Sequence, residues 1–262
     1  MLIKSKDNQK IKLVRSLENK KTRDLHGLYV IENIKLIEEA IKEKISFEFI
    51  FMSESLSDKA DTSKLIDTLE KNKIEYHFID NSLFKDISNT VSSQGIIGIA
   101  KKPKHNIDAI IKNNNFMVFC DKLQDPGNLG TIIRTADAFG PCAVILSPGC
   151  VDAYNDKTVR ACAGALFRVP IVEIDNSIDF IKSLHEEKFA VISTVVDSDK
   201  SFDDIDNPKK ICLIIGNEGN GVSKDVQEAS DERITIRMTG KTESLNASIA
   251  AAISIYEIRK KL

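Results

Sequence analysis

The chain has 262 residues, 42% of them hydrophobic and 29% charged, with a formal net charge of −2 at pH 7. This length and apolar content suit about two globular domains and exclude a disordered chain, while the near-neutral balance excludes a nucleic-acid binder that is basic over its whole surface. The apolar runs fall far below the ~20 residues of a membrane helix, and more charge follows Lys4 and Lys6 where a secretory leader would turn apolar, so a cytoplasmic protein is expected.

Residues 1–23 carry eight basic groups (Lys4, Lys6, Lys10, Lys12, Arg15, Lys20, Lys21 and Arg23) against Asp7 and Glu18, a local excess of +6. Two readings stand here. One is an electrostatic footprint on RNA phosphates; the other is a solvated amphipathic helix with Ile11, Leu13, Val14 and Leu17 turned inward. Strands are expected at 28–31, 47–52 and 96–100, and helices at 33–42 and 63–72, which makes a compact α/β unit. The polar, proline-containing segment 101–106 is the linker candidate, dividing the chain into domains 1–105 and 106–262.

Beyond the linker, apolar runs at 116–120, 142–147, 189–196, 211–215 and 233–238 alternate with helical stretches at 128–139, 155–165, 176–187, 223–230 and 244–261. Such alternation implies a parallel sheet with helices on both faces, whose ligands bind beyond the carboxyl ends of strands. Cys120, Cys142, Cys150, Cys162 and Cys212 are odd in number and form no CxxC pair, so they read as small apolar residues. His26, His77, His105 and His185 lack ligand spacing, and no metal site is expected.

Three loops at strand ends have unusual composition. In the first, Pro126-Gly127 turns the chain, Asn128 suits an N-cap, and Gly130 and Arg134 share one helical face. A ligand site and a capped helix with a solvated arginine both fit. The second, Gly216-Asn217-Glu218-Gly219-Asn220-Gly221, exposes backbone amides to a ligand or is a plain turn. Its order is GxxGxG, not the GxGxxG of dinucleotide sites, which opposes a nucleotide-dependent oxidoreductase. The third runs from Ile236 through Gly240 to a helix whose apolar face is read as Leu245, Ile249, Ala252, Ile253 and Tyr256. Asn246 at its start is either a cap or a polar group aimed into a site.

Together NLGTIIRTADAFG, IIGNEGNGVS and IRMTGKTESLNASIAAAI resemble the three motifs of the SpoU/TrmH family of RNA 2′-O-methyltransferases, in the SPOUT superfamily. The likeness spans 116–262. IKSKDNQKIKLVRSL, YVIENIKLIEEAI and SSQGIIGIAKKP resemble, more loosely, the RNA substrate-binding domain that many members carry. The resemblance implies a trefoil knot at the carboxyl end, bound S-adenosyl-L-methionine and a homodimer. It places Asn128, Arg134, Glu218, Ser244 and Asn246 in the catalytic site. Thr194, Gly216, Asn217, Gly219, Ile236, Met238, Leu245 and again Asn246 fall where the cofactor is held. The chain departs from the family pattern at Arg237, where proline is usual, and at Asn33, where glycine is common.

The motifs hold no His or Cys to act as base. A guanidinium stays protonated, so Arg134 is expected to bind a phosphate and stabilise the developing oxyanion, oriented by Asn128 and Glu218. 23S ribosomal RNA is the expected substrate. Transfer RNA is the alternative, and a non-catalytic RNA-binding protein of the same fold is the rival from another class.

Overall fold

The structure, a computed structural model, describes residues 2–57, 60–90, 93–140, 143–206 and 208–262, with Ala60 and Asp61 as backbone alone. Cys142, expected in an apolar strand, and Ser92 of the SSQGIIGIAKKP segment lie outside the described residues. The chain divides into two compact units, Met1–Lys104 with Tyr154–Phe167, and His105–Ala153 with Arg168–Leu262. The stretch Tyr154–Phe167, read from sequence as part of the second domain, thus packs with the first.

Unit one opens with β1 (Leu2–Ile3), α1 (Gln9–Ser16) and α2 (Lys20–His26), the two helices capped by the side chains of Asn8 and Asn19. There follow β2 (Leu28–Glu32), α3 (Ile34–Lys42), β3 (Phe47–Ser53), α4 (Ala60–Lys71), β4 (Tyr76–Ile79), α5 (Asn81–Ile87) and β5 (Ile96–Lys101). The strands form one mixed sheet in the order β1-β4-β3-β5-β2. Ile11, Val14 and Leu17 are 0–3% exposed and join Phe49, Phe51, Leu83 and Ile97 in the core, while Leu13 packs at its edge. The amphipathic reading of this segment therefore holds. Asn33 has φ 141°, a backbone that L residues rarely adopt and glycine reaches freely, which gives a physical reason for the family's glycine there. Asn33 still caps α3, its side chain accepting from the Leu36 N–H at 3.3 Å.

Unit two begins with α6 (Ile107–Asn113), β6 (Phe116–Cys120), α7 (Pro126–Ala138) and β7 (Ala143–Leu146). After α8 (Asp156–Ala161), which belongs to unit one, come β8 (Ile171–Glu173), α9 (Ser177–Glu186), β9 (Ala190–Thr194), β10 (Ile211–Ile215), α10 (Lys224–Ala229), β11 (Glu232–Ile234) and α11 (Ala247–Arg259). The six strands are all parallel, in the order β11-β9-β10-β6-β7-β8. Every residue of β6 and β10 is buried, as expected for central strands covered on both faces. Side chains of α6, α9 and α10 pack on Met117, Phe119, Ile145, Val191 and Ile214, and α7 and α11 pack on each other.

Two expectations need correction. The first motif helix starts at Pro126, not Asn128, because Asp125 is the N-cap and proline suits the first helical position. The run 233–238 is a strand only to Ile234, after which the chain loops to Asn246, the cap of α11. In α11 a second apolar face, Ala251, Ile255 and Ile258, is turned inward, and Ile249, Ile253 and Tyr256 of the face read from sequence are 50, 37 and 49% exposed.

Candidate active site

The carboxyl ends of β9, β10 and β11 lie side by side, and a cavity of about 550 Å³ opens beyond them. Its wall contains Thr194 to Asp197 after β9, all of 215–222 after β10, Thr235, Ile236 and Met238 after β11, and Glu243, Ser244 and Leu245 before α11. Every residue expected at the cofactor lines it except Asn246. The charged lining residues are Asp197, Glu218 and Glu243, all acidic.

The glycine loop is built from its own polar groups. Asn217 and Gly221 exchange backbone hydrogen bonds of 2.9 and 3.0 Å, and Asn217 Oδ1 accepts from the N–H groups of Gly219 and Asn220. Gly216 has no room for a side chain, since a Cβ there would lie 2.2 Å from Gly221 C and Val222 N. The loop's own return strand, and not a ligand, therefore forbids larger residues at this position.

Beside the cavity, the three motifs are joined by a line of side-chain bonds. Asn246 Nδ2 donates to Asn128 Oδ1 at 3.0 Å, and Asn128 Nδ2 donates to Glu218 Oε1 at 3.0 Å. Glu218 also accepts from the backbone N–H groups of Asp125 at 3.1 Å and Gln124 at 3.3 Å. Burial pushes the Glu218 carboxyl up, but the Asn128 amide and these backbone donors outweigh it and hold the pKa below its ordinary value. Glu218 is thus a carboxylate at neutral pH. Of the two roles left open by the sequence, Asn246 takes the cap: Oδ1 accepts from the Ser248 and Ile249 N–H groups, while Nδ2 reaches Asn128 and not the cavity wall.

Arg134 is exposed on α7 and takes no part in this line of bonds. Within one chain Asn128 and Glu218 orient each other, not Arg134 as the sequence suggested. Ser244 lies at the cavity wall, exposed.

The SpoU rRNA methylase family matches residues 115–256, and the MRM3-like substrate-binding domain matches 8–98. The chain belongs to the SpoU rRNA methylase family. It is 33% identical over 257 residues, 98% of either protein, to the 23S rRNA (guanosine(2553)-2′-O)-methyltransferase RlmP of Bacillus subtilis. An AdoMet-bound rRNA methyltransferase from Sinorhizobium meliloti superimposes with a TM-score of 0.87 at 26% identity, over all of this chain and 98% of that one. The SpoU methyltransferase AviRb from Streptomyces viridochromogenes, in complex with AdoMet, shares the fold with a TM-score of 0.86 at 24% identity over 97% of both.

In this methylase the amino-terminal basic residues are more engaged than their spacing suggests. Lys10 pairs with Glu75 at 2.7 Å, Lys6 and Arg15 with Asp86 at 2.5 and 3.5 Å, and Lys12 with Asp7 at 2.9 Å. Glu75 and Asp86 are remote in sequence, so the local excess of +6 overstates the field. Arg23 is only 6% exposed and donates to the carbonyls of Leu17 and Glu18, so it is removed from the expected RNA-binding set. Lys4 and Lys21 remain exposed, and Lys20 is half-buried. Sequence reasoning missed Val195, Val196, Asp197 and Gln227 of the cavity wall, which stand outside glycine-rich or motif-like patterns, and passed over Glu243 within the third motif. A strand-end rule applied to β9 would have found the first three.

Cys120 and Cys212 are buried, as their apolar settings implied; Cys162 is buried too, and burial raises its thiol to about 12. Cys150 is half-buried, its thiol facing the Cys120 carbonyl at 3.1 Å. Among the described residues no cluster of His, Cys, Asp and Glu could hold a metal, and no helix is long and apolar enough to cross a membrane.

Proposed function

We propose that this enzyme methylates a ribose 2′-hydroxyl of 23S ribosomal RNA, with S-adenosylmethionine as methyl donor. The observation that carries the reading is the cavity beyond β9, β10 and β11, lined by the second and third motifs and tied to the first through the bonds of Asn246, Asn128 and Glu218. The residues suit the donor. About 550 Å³ falls within the ~300–1,000 Å³ range of small-molecule sites. Ile236, Leu245 and Val196 offer apolar contact to a purine, and the backbone of 216–222 offers amides and carbonyls. A wall whose charges are all acidic favours a ligand bearing sulfonium and ammonium groups and opposes a pyrophosphate.

When bound, the donor supplies an electrophilic methyl on a sulfonium. The chain's own task is alignment and charge. Arg134, an exposed guanidinium, is suited to grip the phosphate next to the target ribose and to stabilise negative charge on the attacking oxygen. Glu218 and Asn128 keep the motif loops in register, and Ser244 completes the wall near them. The amino-terminal unit holds the RNA, with the exposed Lys4 and Lys21 on phosphates, and the unit of 105–153 and 168–262 carries out the transfer.

The protein acts as a homodimer in the cytoplasm. Ile249, Ile253 and Tyr256 leave an apolar stripe on the outer face of α11, and Phe139 stacks edge-on with Tyr256 at 5.6 Å. Covering that stripe by a second copy removes apolar area from water. The trefoil knot expected of the family belongs to the same carboxyl-terminal half.

The test is transfer of labelled methyl from S-adenosylmethionine to purified ribosomal and transfer RNA, with mapping of 2′-O-methyl sites. Label on a ribose of 23S RNA is the expected outcome. Label on transfer RNA alone selects the other substrate, and RNA binding without transfer selects the non-catalytic reading. Sedimentation at micromolar concentration checks the dimer.

A further inference from the structure

The glycine loop forms a wall of the cavity, yet its internal bonds fix only its shape. Where it stands depends on the segment after β6. Two of those ties are exposed: Asn217 Nδ2 donates to the Lys122 carbonyl at 2.7 Å, and Glu218 accepts from the Gln124 and Asp125 N–H groups. A further tie is buried. Asp121, 1% exposed at the carboxyl end of β6, accepts through Oδ2 from both the N–H of Ser223 at 2.7 Å and its hydroxyl at 2.6 Å. Ser223 directly follows Val222, the last wall residue of the loop, and opens α10.

A carboxylate here carries a cost. Oδ1 of Asp121 is buried and has no hydrogen-bond partner among the described residues. An unsatisfied buried acceptor is unfavourable, and an asparagine could accept the same two bonds with no charge to bury. What the carboxylate adds is strength, since charge-assisted hydrogen bonds are roughly twice as strong as neutral ones. Asp121 does not line the cavity itself.

We propose that Asp121 is a positioning residue for the methyl donor. It clamps the exit of the glycine loop to the end of β6 and thereby sets the donor's affinity without touching it. This rests on the donor site described under the proposed function.

The test is calorimetry of S-adenosylmethionine with the full chain and its Asp121→Ala, Asp121→Asn and Ser223→Ala variants, alongside melting temperatures and RNA affinity. Asp121→Ala loses both anchors and is expected to weaken donor binding at least about tenfold, with RNA affinity unchanged. Asp121→Asn keeps one acceptor for both Ser223 donors and is expected to recover affinity to within about threefold of the parent. Ser223→Ala loses only the hydroxyl's contacts, with Asp121 and with Asp225, and should cost about threefold. A lowered melting temperature with unchanged donor affinity in the folded Asp121→Ala protein makes Asp121 merely structural and overturns the proposal. If that variant does not fold, unchanged affinity in Ser223→Ala overturns it instead. A parent chain that fails to bind the donor removes the function reading itself, whereas a parent that binds alongside unaffected variants removes this inference only.

Discussion

Replacing Glu218 with glutamine keeps the side chain's size and removes one charge and one acceptor. Oε1 accepts from the Asp125 N–H at 3.1 Å and Asn128 Nδ2 at 3.0 Å, and Oε2 accepts from the Gln124 N–H at 3.3 Å. The glutamine carbonyl serves best in the place of Oε1, which leaves its NH₂ facing the Gln124 N–H, donor against donor. Two bonds lose charge assistance and one is lost. With hydrogen bonds worth about 1.5–3 kcal/mol to a charged group and 0.5–1.5 to a neutral one, the dry-site sum is about 3.5–6 kcal/mol. Glu218 is exposed, so water replaces part of this, and a loss of about 1–2 kcal/mol is expected at neutral pH. The folded pKa lies below the ordinary 4.5. The carboxylate's contribution is therefore complete well above 4.5 and disappears as the pH falls through the folded value. Urea unfolding of parent and variant from neutral pH to about pH 3 should show a gap that closes in acid. A gap that stays constant or widens in acid would refute this account of Glu218.

Arg134→Ala should lower turnover about 10²–10³-fold while calorimetry finds S-adenosylmethionine affinity unchanged, because Arg134 stands apart from the cavity wall; loss of donor binding would contradict that placement. Asn33→Gly should raise unfolding stability by roughly 0.5–1.5 kcal/mol, since release from φ 141° outweighs glycine's entropy and a 3.3 Å cap bond. A fall in melting temperature would show that the cap matters more than the strain. Lys4→Ala and Lys21→Ala should each reduce the slope of log K for RNA against log salt by about 0.7 if each holds one phosphate of a single strand. Lys12→Ala, already paired with Asp7, should change it less.

The alternation of strands and helices was legible because central strands such as β6 and β10 are unbroken apolar runs bounded by polar turns. Shorter or mixed elements escaped. In β4, Tyr76, His77 and Phe78 are only half-buried, and β8 has three residues, so neither leaves a period to detect. The inward face of α11 went unnamed for a different reason. Its sequence ASIAAAISIYEIR is apolar nearly all round, so periodicity cannot choose between Ile253 and Ile255. The start of α7 turned on two competent caps, Asp125 and Asn128, and Pro126 decides between them only once its place as first helical residue is known. The basic segment misled because charge counted along the chain omits Glu75 and Asp86, which the fold brings back to it. The three motif loops were found, because glycine, asparagine and carboxylate at strand ends are rare enough to stand out. Their mutual bonds were not, because partners 90 and 118 positions apart leave no local trace.

Those bonds also explain why the first motif needs an asparagine within the opening turn of α7. At this point Glu218 is an ionised acceptor, and the Asn246 amide presents a donor from the opposite side. A side chain between them must donate at one end and accept at the other, at short reach, from a helix whose N-cap is already supplied by Asp125. Aspartate would set a second carboxylate against Glu218, and serine would reach one partner at a time. Alanine would leave the Asn246 amide and part of the Glu218 carboxylate unanswered at a position only 8% exposed. Displacing the cap to Asp125 is what frees the Asn128 amide for this task. The Pro126 turn that obscured the helix boundary is thus the local feature that lets one residue join all three motifs.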